Sequence, residues 1–100
     1  MSAEESDTMA VMDRWLDEVC IELGLDRSVL DANSIALLGL IKSVAHGPSR
    51  PGAPMTAFLI GLASGAATTN PAGQTTAVAD RIRAVDRLIA GWAPEPTTTP

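Results

Sequence analysis

A chain of 100 residues makes one domain with room for a single core. At 46% hydrophobic and 19% charged it is globular rather than disordered, and one Phe, two Trp and no Tyr leave it a mainly aliphatic core. The net charge of −5 concentrates in residues 1–31, and the only basic cluster, Arg81, Arg83 and Arg87, is partly countered by Asp80 and Asp86, which argues against nucleic-acid binding.

Helical periodicity runs through the chain and no strand alternation competes with it. Residues 1–6 read as a disordered lead. They are acidic, whereas a secretory signal begins basic, so the expected location is the cytoplasm. A first helix is expected over residues 7–23. Met9, Met12, Trp15, Leu16, Val19, Cys20 and Leu23 fall on one side of it, and Asp13, Arg14, Asp17, Glu18 and Glu22 on the other. Ile21 breaks the pattern and sits among the charges. Cys20 is the only cysteine, lies in the apolar stripe and reads as a buried structural thiol. Gly24 is placed to stop the helix in the left-handed conformation.

Ser28 and Asp31 have the spacing of a capping box, which allows a short helical turn. The second long helix is expected from residue 32 or 33 to 46. Leu37, Leu38, Leu40, Ile41, Val44 and Ala45 form its buried stripe, and Lys42, Ser43 and His46 lie opposite; Gly47 and Pro48 end it.

The third helix is expected to begin at Pro54, whose missing N–H costs nothing in a first turn. Its apolar run, roughly residues 54–67, is shorter than the ~20 residues that span a bilayer. It is apolar nearly all round, so it should be central, with Phe58, Leu59 and Leu62 nearly fully buried. Gly61 and Gly65 share one face and are expected at a close helix–helix approach. Asn70 and Pro71 cap and open the fourth helix, which runs to about Trp92 with Val78, Ile82, Val85, Ile89 and Trp92 in its stripe. The Pro- and Thr-rich residues 93–100 read as a disordered tail. The expected fold is all-α: four main helices, with room for a short fifth turn, in an orthogonal array or irregular bundle, forming one domain over residues 7–92.

Between Asp31 and Asp80 there is no acid, and only Lys42, His46 and Arg50 can be positive. Together with Ser49 these form the candidate site. The 46–54 loop offers an imidazole, a hydroxyl and a guanidinium ahead of a helix N-terminus, a combination suited to an anion. The same residues also make an ordinary connector, in which Gly47 stops one helix and Pro54 starts the next. No acid lies near the one His for a Ser–His–Asp arrangement, no Cys/His spacing suits a metal, and no glycine-rich phosphate loop is present. No catalytic residue and no cofactor is therefore expected.

Trp15-Leu16, Val19-Cys20, Leu23-Gly24-Leu25, Val44-Ala45-His46-Gly47, Arg50-Pro51 and Ala53-Pro54-Met55-Thr56, followed by Phe58-Leu59 and Gly61-Leu62-Ala63, carry a resemblance over about residues 9–92. The chain resembles an uncharacterised actinobacterial family of small helical domains. That family also occurs fused behind nucleotidyltransferases similar to the molybdopterin-guanine dinucleotide biosynthesis enzyme. The resemblance implies a link to molybdenum cofactor metabolism and a nucleotidyltransferase-like protein partner. It implies no catalytic residue, and the Lys42-Ser43 pair departs from the family's more acidic pairing. The leading expectation is a non-catalytic interaction or accessory module. The alternative is a small anion- or nucleotide-binding protein or minor enzyme using Lys42, His46, Ser49 and Arg50.

Overall fold

The computed structural model describes residues 3–93. It is all-α: α1 (Ala3–Leu23), α2 (Arg27–His46), α3 (Gly52–Ala67) and α4 (Pro71–Ala90). Most of the expected tail and the first two residues of the expected lead lie outside the described residues. α1 begins at Ala3, earlier than the sequence suggested.

The helix boundaries follow local chemistry. Gly24 has φ 66° and ends α1, with Leu25 N donating to the Cys20 carbonyl at 2.9 Å and Gly24 N to that of Ile21 at 3.2 Å. Asp26 then caps α2, its carboxylate accepting from Ser28 N at 2.8 Å. The Ser28 hydroxyl and amide both hold that carboxylate below the usual aspartate range. The anticipated short turn is therefore the start of α2 itself, and Asp26 rather than a Ser28–Asp31 box caps it. Asn70 accepts from Gly73 N at 3.1 Å, and Pro71 opens α4 as expected. α3 starts at Gly52, so Pro54 is its third residue, still in the turn where no intrahelical N–H bond is lost.

The core lies among α2, α3 and α4, each of which packs on the other two. Leu40 and Val44 of α2, Ala53 and Ile60 of α3, and Ile82 of α4 form it, with Leu37, Ile41, Val78, Val85 and Ile89 packed around. Two polar groups are buried with it. Asn33 donates from Nδ2 to the carbonyls of Val29 and Thr75, tying α2 to α4, and Ser64 Oγ donates to the Ile60 carbonyl at 2.7 Å. α2 is long and apolar enough to cross a membrane by length and composition, a test that the core helix of a folded domain also passes.

Three expectations are corrected here. Leu38 is exposed, because the inward side of α2 follows Asn33, Leu37, Leu40 and Val44. Phe58, Leu59 and Leu62 are also exposed, at 65%, 59% and 60%. α3 does touch both α2 and α4, but through Ala53, Ile60 and Ser64, which lie on the opposite side of the helix from the large residues. Finally, Gly61 and Gly65 meet no close neighbour, since a Cβ on either would find nothing within 4 Å. The helix that could cover them, α1, is not part of the packed trio and buries none of its described side chains.

α1 is instead tied down by charge. The Arg27 guanidinium donates to the carboxylates of Asp17 (2.6 Å), Asp13 (3.1 Å) and Asp31 (3.1 Å), and to the Asp13 carbonyl. Burial alone would lower its pKa, but the bonds to Asp17 and Asp13 and the attraction of Asp31 outweigh that and raise it.

Truncation separates inward from outward residues. Leu40→Ala, at a side chain only 2% exposed, should cost about 2–5 kcal/mol in urea unfolding, and Ile35→Ala, on the open side of the same helix, under about 0.5 kcal/mol.

Candidate functional site

The four residues singled out by sequence lie around the turn from α2 to α3. Lys42 and His46 are exposed on the last turns of α2, and Ser49 and Arg50 are exposed in the connection. Among the described residues Lys42, His46 and Arg50 make no ion pair. They follow one another along this turn without a cavity closing around them. None of the three clefts described below is lined by any of the four.

The N-terminus of α3 decides what this turn can offer an anion. Gly52 N donates to Ser49 Oγ at 3.2 Å, Ala53 N donates to the Arg50 carbonyl at 3.2 Å, and Pro54 has no N–H. Of the first three positions that would cradle an oxyanion at this helix start, two amides are thus engaged and the third residue has none. Ser49 acts as a cap from outside the helix, and Gly52 sits against it, where a Cβ would come 3.1 Å from Ser49 Cβ. This arrangement fits a connector. An anion would find only the exposed side chains of Lys42, His46 and Arg50, in high dielectric.

The concave surfaces lie elsewhere and are apolar. A cleft of about 390 Å³ runs between α3 and α4, with Leu59, Leu88 and Trp92 on its walls beside Pro48, and Arg81 as its one charged side chain. A second, of about 320 Å³, separates α1 from α2 and α3. Leu16, Val19 and the half-buried Cys20 face Gly61 and Gly65 across it. A third, shallow one on α1 is formed by Trp15, Val19 and Leu23 with Glu18 and Glu22. Among the described residues no three His, Cys, Asp or Glu side chains gather as a metal would need.

Sequence reasoning missed the most distinctive surface. Met55, Phe58, Leu59 and Leu62 recur at helical spacing on the outside of α3, and Leu59 lines the α3–α4 cleft with Leu88 and Trp92. The signal was present, because α3 has 16 residues and no ionisable group. The missing information was which side faces in.

The chain belongs to the family described as a domain of unknown function (DUF6457), whose sequence model matches residues 7–97. No curated protein and no solved structure matches it.

With the Gly52 and Ala53 amides engaged and Pro54 lacking one, the 46–54 turn should not hold anions specifically. In an NMR titration, millimolar phosphate or nucleotide should leave His46, Arg50 and the Met55–Ala57 amides without saturable shifts. A saturable shift that Arg50→Ala abolishes would establish the anion site instead.

Proposed function

We propose that this DUF6457 domain is a non-catalytic interaction module that docks proteins through outward-facing apolar side chains. One observation carries the reading: large hydrophobic residues of α1 and α3, among them Trp15, Met55, Phe58 and Leu62, are more than half exposed. Contiguous exposed apolar surface of this kind marks contact sites on folded domains. No cleft gathers Lys42, His46, Ser49 and Arg50, so ligand binding or catalysis there has weaker support.

For a heterologous partner the suited surface is α1. Its bare stripe includes Met9, Trp15 and Leu23, and Glu18 and Glu22 border it in the shallow cleft. An apolar stripe with an acidic border fits a partner groove rimmed by Lys or Arg. Ile21 is exposed too, but it stands on the charged side of the helix, apart from this stripe. The resemblance set out above suggests the partner class, a nucleotidyltransferase of molybdenum cofactor biosynthesis, to which the domain would be an accessory.

Calorimetric titration of the domain into such a purified nucleotidyltransferase tests this. Saturable binding with a negative heat-capacity change, weakened by salt and by Trp15→Glu, is the expected result. Absence of binding at ~100 μM, a concentration that would reveal even weak complexes, would remove this partner class.

A further inference from the structure

α3 turns most of its large apolar residues outward. Ala53, Ile60 and Ser64 are buried, whereas Met55, Phe58, Leu59 and Leu62 are each more than half exposed. No other described element covers this outer face. Leu88 and Trp92 of the α4 side are also more than half exposed and line the α3–α4 cleft with Leu59. We propose that the occupant of the outer face is a second copy of the chain, the two α3 helices meeting face to face across a two-fold axis.

Area and charge both favour this occupant. With aromatics offering 150–250 Å² each when fully exposed, the six side chains at their observed exposure present on the order of 700 Å² per subunit, close to the ~800 Å² per partner of a standard stable interface. A two-fold contact is self-complementary, so each residue of the patch must tolerate its own kind nearby. A face with no ionisable group within α3 meets that condition. The acidic α1 does not: residues 1–31 carry nine acids against two arginines, and two such surfaces would repel. The α3 face, with Arg81 the one charged side chain lining the cleft beside it, is therefore the one through which two copies of an acidic chain can approach. Two α3 helices paired antiparallel would also oppose their dipoles favourably.

The proposal shares with the functional reading the premise that outward apolar residues are contact surface, but it uses a different helix. The test is sedimentation equilibrium of the full chain from about 1 to 300 μM, a range covering micromolar dimers. The mass should rise from 10.4 kDa toward twice that value. Phe58→Glu and Leu62→Glu, each burying an unpaired carboxylate in the contact, should weaken association by roughly a hundredfold with the far-UV helical signal unchanged. Trp15→Glu should leave it intact.

A monomer at every concentration would overturn the proposal, and so would a dimer indifferent to both α3 substitutions. Failure of both variants to fold would show that the face is internal, and would overturn it equally. A monomer that still binds the nucleotidyltransferase through Trp15 would leave the functional reading standing. A dimer that does not bind would leave only this proposal.

Discussion

A sixteen-residue helix without a single ionisable group is ordinarily covered on several sides, yet α3 packs on α2 and α4 through one face and leaves Met55, Phe58, Leu59 and Leu62 exposed. That constraint organises the molecule. The inward face of α3 is narrow, because Ala53 and Ser64 let α2 and α4 come close around Ile60. Leu40, Val44 and Ile82 then complete a core of few large side chains. Small domains bury a modest share of their surface, and one that turns Phe58 and Leu62 outward buries less still. The residues that would ordinarily enlarge the core are on the surface, where they can contribute to stability only once something covers them.

The second consequence falls on α1. The apolar stripe of α1 is only half-covered, with Leu16, Val19 and Cys20 facing α2 and α3 across a cleft, and the Arg27 cluster fixes the helix beside them. Exposed ion pairs contribute little each, and salt screens them. Asp13, Asp17 and Asp31 around one guanidinium set the direction of α1 more than they hold it firmly. The cleft between α1 and α3, with Gly61 and Gly65 open to it, follows from that arrangement.

The ends of α1 and α2 and the start of α4 were legible because each depends on local chemistry, whereas α1, α2 and α3 all begin earlier than their sequence signals suggested. Gly24, Asn70 and Pro71 act where their backbone preferences place them, and the stripes of α2 and α4 name most of the core. The orientation of α3 was not legible. A helix apolar all round has almost no periodic signal, so nothing in the sequence says whether Phe58 or Ile60 faces in. Leu38 and Asn33 show the same limit in α2: the inward line runs through a polar residue whose bonds to Val29 and Thr75 only the fold reveals. At the 46–54 turn the residue types suggested an anion site. The geometry adds what spacing could not, namely that Ser49 and the Arg50 carbonyl already occupy the first amides of α3.

Hydroxyl-radical footprinting across a dilution series bears most directly on the outward orientation of α3, because it reports side-chain exposure residue by residue. At high dilution Met55 and Phe58 should be oxidised readily, and Leu40 and Ile60 protected. At high concentration Met55 and Phe58 should gain protection together, with Leu40 and Ile60 unchanged. Protection of Met55 and Phe58 at every dilution would contradict the account, since it would place the large face of α3 inside the single chain.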